Sequence, residues 1–232
     1  MSLSSPKKTS PVSRYIEWKG GSGKFRYWDK EKESEVFIEG PIYIVVLDEL
    51  SCITGFDVDK GKGIFSNEVH NLNEEQLVVG YMGGGSIANG LYKEIKGSFP
   101  AGAKYAKSVY AALIDPDSSE LELVNFKLYG SSVGPWIEAK IGDEGNVIVL
   151  TCDPVQQTKG ATKYYQPLVK KSKRREDILA RCVDMDKDLQ SYLYSPKPDS
   201  FKADYKQHNV YEEPALTPEP ENTSVVEDDL PF

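Results

Sequence analysis

The sequence predicts a mainly β, β-rich α+β fold: a small barrel with inserted short helices, a C-terminal helix and a disordered acidic tail. Three observations predict it. Short runs rich in Val, Ile, Tyr and Phe alternate with turn sequences along most of the chain. One late segment, Arg175 to Tyr194, carries apolar residues at helical spacing. The final stretch, EEPALTPEPENTSVVEDDLPF from Glu212 to Phe232, holds seven carboxylates, four prolines and no Lys or Arg. Such a segment cannot bury enough surface to offset its chain entropy.

The elements follow in order. Residues 1–13 (MSLSSPKKTSPVS) read as a disordered arm, and the body is expected to run from 14 to 194. Gly23 to Trp28 alternates Lys24, Arg26 and Trp28 against Phe25 and Tyr27, the period of a half-buried strand. Val36 to Ile38 and Tyr43 to Phe56 are further strands, the second long enough to bend or bulge across a barrel. Asp57 to Gly63 is turn chemistry, and residues 66–80 are mixed. Ser86 to Gly97 (SIANGLYKEIKG) predicts a short helix with Ile87, Leu91 and Ile95 on one face. Lys104 to Ile114 and Leu121 to Tyr129 form a hairpin around Asp115-Pro-Asp-Ser-Ser119. Ser131 to Ile141 is a short helix with Pro135 tolerated near its start. Asn146 to Cys152 and Lys163 to Val169 are partner strands. Many short strands with one or two small helices suit a Greek-key barrel such as the OB-fold. In the last helix Ile178, Cys182, Met185, Leu189 and Tyr192 form one stripe; it packs on the body's own core or forms the seam of a homodimer. Prolines after Ser195 mark a linker of about 37 residues, spanning roughly 35 Å as a flexible chain.

The formal charge of −8 conceals an asymmetry. Removing the seven tail carboxylates from the 36 acids leaves 29 against 28 bases, a nearly neutral body. A local binding groove is expected, in place of a generally cationic surface. Three cysteines without C-x-x-C give no disulfide framework and no zinc knuckle. No early apolar run has signal-peptide length, so a soluble, cytoplasmic protein with no membrane partner is the expectation. The charge and spacing call for no cofactor and no metal.

Two basic and aromatic segments stand out. From Pro154 to Arg175 there are seven cations and no acid, among them Lys159, Lys163, Lys170 and Lys171, with Tyr164 and Tyr165 in the middle. A weaker cluster runs Tyr92, Lys93, Lys96, Phe99, Lys104, Tyr105, Lys107 and Tyr110. With Lys24, Arg26 and Trp28 these supply cations to track phosphates and flat rings on which bases stack, the two components of sequence-tolerant single-strand binding. The ordinary alternative for each cluster is a solvated face with core tyrosines. No motif points to sequence-specific reading. Gly20 to Lys24 is half of a phosphate loop, with Trp18 at its first glycine position and Phe25 where Ser or Thr is required. Pro116-Asp117 followed by Glu138-Ala-Lys140 is similar to the PD-ExK arrangement of metal-dependent nucleases, with Asp117 and Glu138 as magnesium ligands and Lys140 beside the attacking water.

At the very terminus, Glu227, Asp228, Asp229, Leu230, Pro231 and Phe232 (EDDLPF) suit a shallow apolar pocket rimmed by Arg and Lys. This tip resembles that of the single-stranded DNA-binding proteins of bacteria and their phages, and the length of the body favours a phage-type relative. The resemblance implies an OB-fold body that binds the strand. It also implies a tail that recruits replication, recombination and repair proteins: polymerase, helicase, recombinase or nuclease. The expected function is therefore to coat and protect single-stranded DNA without catalysis. The alternatives are the nuclease and an adaptor whose body never meets DNA.

Overall fold

The computed structural model describes residues 10–141 and 146–194; the expected acidic tail and its tip, Glu227 to Phe232, lie outside the described residues. A single strand, β4 (Ile42–Asp57), is the spine of the fold. At 16 residues it is far longer than a typical strand of about five or six. It pairs with β8 (Ala103–Ile114) along almost all of its length, with β10 (Asn146–Lys159) at its start and with β5 (Lys62–Ser66) at its end. One strand serves three partners on two edges because it bends, and the register break between Val46 and Asp48 marks the bend that the sequence predicts.

β8 turns into β9 (Leu121–Tyr129) where expected. Asp115 builds the turn, its Oδ1 accepting the N–H groups of Asp117 at 2.9 Å and Ser118 at 2.8 Å. After β9 a 3-10 turn (Gly130–Ser132) leads into α2 (Val133–Glu138), and β10 then returns to lie beside β4. The spatial order β10, β4, β8, β9 is a Greek key. The N-terminal strands add to it: β1 (Arg14–Lys19) runs parallel to β9, and β2 (Lys24–Asp29) and β3 (Ser34–Ile38) follow antiparallel.

β11 (Thr162–Arg174) pairs with β10 and closes the ring against the β1–β2 turn. The Tyr165 N–H donates to the Gly20 carbonyl at 2.9 Å. The Tyr165 carbonyl accepts from Trp18 Nε1–H at 3.1 Å and Ser131 Oγ at 2.9 Å. The result is an OB-fold-like barrel. Ile16, Trp18, Phe25, Ile44, Val109, Phe126, Trp136, Ile148 and Leu150 fill its interior.

Several elements differ from the sequence expectation for physical reasons. Ser86 to Gly97 is not one helix: Ser86–Gly90 forms β7, paired to β6 (Leu77–Tyr81), and only Tyr92–Ile95 is helical, as α1. Gly83, Gly84 and Gly85, all at positive φ, turn the chain back so that the ladder satisfies the backbone groups a helix would have used. β5, β6, β7 and α1 enclose a second core of Ile53, Ile64, Leu77, Val79, Tyr81 and Ile95. β10 and β11 are longer than expected because a register break between Thr151 and Val155 absorbs Pro154, which has no N–H to give the ladder. Residues before the expected start at Arg14 also pack on the body. Val12 is buried with Leu50 and Leu123, and the Ser13 N–H donates to the Leu123 carbonyl at 2.9 Å.

The expected late helix is α3 (Glu176–Leu193). Its stripe packs on its own body: Ile178 and Cys182 meet Val45, Ala112 and Val147, and Leu189 meets Leu50, Tyr110 and Leu123. Among the described residues no helix is long and apolar enough to cross a membrane.

Candidate nucleic-acid interface

Alternation along the strands sorts the candidate residues between two faces of the sheet. On β2, Phe25 and Tyr27 turn to the barrel interior, so Lys24, Arg26 and Trp28 lie on the outer face, as the sequence predicts. Cross-strand register extends this face in both directions. On β3, Phe37 stands opposite Arg26 and Glu35 opposite Trp28. On β1, Glu17 stands opposite Arg26 and Lys19 opposite Lys24.

The next strands carry it further. Tyr129, at the end of β9, places its hydroxyl 3.3 Å from Glu17 Oε2. The Lys104 ammonium of β8 lies 5.6 Å from the centre of the Tyr129 ring. Lys24, Arg26, Trp28 and Lys104 are therefore brought together, although 76 residues separate the last two in the chain.

The electrostatics divide these cations by role. Arg26 is held between Glu17 and Glu35, with only 14% of its side chain exposed. It orders the face and carries no free charge. Lys24 pairs with Glu39 at 2.7 Å, but both groups are in solvent, where such a pair exchanges readily for a phosphate. Trp28 and Phe37 are 39% and 40% exposed, unusual values for side chains of this size, and they flank the Arg26 position. Exposed rings beside solvated lysines are the components that single-strand binding requires.

The β10–β11 hairpin rises from the same end of the barrel, since Tyr165 is pinned at Gly20 and Ser131, two residues past Tyr129. Lys159, Lys163, Lys170 and Lys171 are all exposed on it. The two neighbouring tyrosines do not form a joint platform. Tyr165 packs against the barrel core, and Tyr164, opposite Gln157, points to the other face.

The cluster around β8 is dispersed. Lys107 turns inward and pairs with Glu49 at 2.7 Å, and the other oxygen of Glu49 accepts Trp136 Nε1–H at 2.8 Å. Burial opposes the Lys107 charge, but the hydrogen bonds and charges of Glu49 and Tyr105 together outweigh it and raise the Lys107 pKa. Tyr105 packs edge-on to Tyr92 at 6.3 Å, and its hydroxyl lies 3.1 Å from Ser51 Oγ. Tyr110 is buried and donates to Glu68 Oε2 at 2.6 Å. Tyr105, Lys107, Tyr110 and Tyr165 are thus spent on structure. Lys93 and Lys96 are exposed but belong to α1 and the turn after it, over the second core and away from the β2 face.

Glu68 explains why the middle of the outer face is closed. The loop after β5 lies along β4, with Ser51 and Val69 bridged, and sends Glu68 onto β8 and β9. Its carboxylate takes Lys127 Nζ at 2.8 Å together with the Tyr110 hydroxyl. Burial pushes this carboxyl up, but Lys127 and the hydrogen bonds from Lys127, Ser108 and Tyr110 prevail and hold it at about 2. Cys52, 3.4 Å from Lys127 Nζ, has its thiol pushed up by the same burial.

The nuclease arrangement is not assembled. Asp117 lies in the turn before β9 and Glu138 in α2 after it, so the two carboxylates do not sit on adjacent strands. Among the described residues no three His, Cys, Asp or Glu side chains could hold a metal together.

Sequence reasoning does not single out Phe37, Tyr129 or Lys19. The alternation of the β3 segment hints at Phe37, but only the ladder register places Tyr129 beside Lys104. No protein-family model, curated protein or solved structure matches the chain.

Proposed function

We propose that the chain is a non-enzymatic single-stranded DNA-binding protein that coats and protects the strand during replication, recombination or repair. The observation that carries this reading is the gathering of solvent-exposed Trp28 and Phe37 with Lys24, Lys104 and Tyr129 on one sheet face. Exposed aromatic surface costs solvation and calls for a ligand with flat apolar faces. The flanking lysines call for one that is also polyanionic. A single strand with unstacked bases offers both, whereas duplex DNA hides its base faces. The Glu68 loop closes the outer face over the middle of β8 and β9, so the strand is assigned to the β1–β2–β3 side and to the hairpin that rises beside it.

The acidic tip, Glu227 to Phe232, supplies the second activity, recruitment of replication and repair proteins with a basic-rimmed apolar pocket. A gel shift with a single-stranded oligonucleotide and its duplex tests the reading. Preferential shift of the single strand, weakened by Trp28→Ala and unchanged or strengthened by deletion of residues 212–232, is expected. Equal shift of the duplex, or none of either, overturns it.

A further inference from the structure

We infer that the single-strand track does not stop at Lys104 but continues across β4 and β5, with Phe56 as a second stacking station; the inference rests on the binding face proposed above. The register is continuous. Lys104 stands directly opposite Thr54 of β4, and Thr54 directly opposite Phe65 of β5. Phe65 in turn stands opposite Gly80 of β6. Alternation puts Phe56 and Val78 on this same outer face, and each is 40% exposed. Opposite Phe56 stands Gly63, where an added Cβ would lie 2.5 Å from Met82 Sδ, so Met82 also lies across this face.

The outer face thus changes character from one end to the other. On β1 to β3 it mixes rings with paired charges; beyond Lys104 the positions Thr54, Phe56, Gly63, Phe65, Val78, Gly80 and Met82 carry no charge. Asp57, the residue after Phe56, is turned to the interior, where it accepts the Tyr81 hydroxyl at 2.7 Å. From β3 to β5 the ladder takes six strand steps, about 29 Å. Lys104 and Tyr129 sit between the two aromatic ends. An occupant that needs a cation in the middle and flat apolar contacts on both sides is an extended strand of nucleic acid, whose phosphates pass Lys104 while its bases stack on either hand. Continuity with the cationic face favours it over a docked protein, for which the uncharged half alone would suffice.

The test measures affinity for a series of single-stranded oligonucleotides of increasing length by fluorescence anisotropy, using the full chain and the variants Trp28→Ala, Phe56→Ala, Phe56→Leu and Phe56→Trp. Phe56→Ala is expected to lower affinity about 5- to 100-fold for long oligonucleotides and to leave the shortest ones that bind unchanged. Phe56→Leu, which keeps apolar bulk without a flat ring, should behave like Phe56→Ala, and Phe56→Trp should restore binding. Unchanged affinity of Phe56→Ala at every length overturns the inference, as does full binding by Phe56→Leu, which would point to an apolar docking surface for protein. If Trp28→Ala also binds normally, or nothing binds, the proposed function itself fails; a loss confined to Trp28→Ala removes only the extension.

Discussion

Glu68→Gln tests whether the loop over β8 and β9 is held by charge. The carboxyl is held at about 2 against an ordinary value of 4.5, and its side chain is only 14% exposed, so solvent screens it little. That difference corresponds to about 3 kcal/mol of stability at neutral pH. The amide would remove the ion pair that Glu68 makes with Lys127 at 2.8 Å, and breaking a buried pair costs a similar amount, about 3–5 kcal/mol. The expected loss in a thermal melt at pH 7 is about 6–12 °C for a domain of this size. The sign of the pH dependence follows from the lowered pKa. The contribution is complete above the ordinary value of 4.5 and disappears as pH falls toward 2, so wild type and variant should converge in acid. Asp57 and Asp115 are also lowered, the first mainly by its Tyr81 hydrogen bond and the second by the Ser118 N–H. The difference between the two proteins therefore isolates Glu68. A variant that melts within about 1–2 °C of wild type at pH 7, the scale of a surface substitution, would show that charge does not hold this loop.

Two further predictions concern the binding face. Tyr164→Ala should weaken single-strand binding with little change in melting temperature, whereas Tyr165→Ala, which removes a ring packed on the barrel core, should cost about 3 kcal/mol of stability; urea titration and anisotropy on both variants separate the two effects. Lys24→Ala with Lys104→Ala should reduce the slope of log affinity against log salt by about 1.4, since each single-strand phosphate that a lysine no longer neutralises lowers it by about 0.7. An unchanged slope would remove these lysines from the interface.

The elements legible in the sequence are those specified by near neighbours. Asp115-Pro116 marks its own turn, Phe25 and Tyr27 declare an inner face by alternation, and Ile178, Cys182 and Leu189 fall on one helical stripe within 12 residues. Ser86 to Gly97 reads as a helix because Ile87, Leu91 and Ile95 keep helical spacing, while the pairing that overrides it comes from β6. The binding face shows the same limit more sharply. Lys107 and Tyr110 look like ligands in a linear reading, yet their charges and hydroxyls are consumed by Glu49 and Glu68, about 40 to 60 residues earlier. Arg26 similarly faces outward as expected, but Glu17 and Glu35 neutralise it. A cation's availability depends on partners that only the tertiary fold selects. Phe37 and Tyr129 become candidates for the converse reason, because register sets them beside residues remote in sequence.

The intrinsic fluorescence of Trp28 reports whether single-stranded DNA occupies the β1–β2–β3 face. The chain has three tryptophans, and Trp18 and Trp136 are 4% and 2% exposed, which leaves Trp28 as the only solvent-facing indole. Titration with a single-stranded oligonucleotide should quench it saturably as a base stacks on the ring, and duplex of the same sequence should not. The quench should vanish in Trp28→Phe while binding persists. Saturable binding of the single strand with no change in Trp28 emission would contradict the assignment of this face.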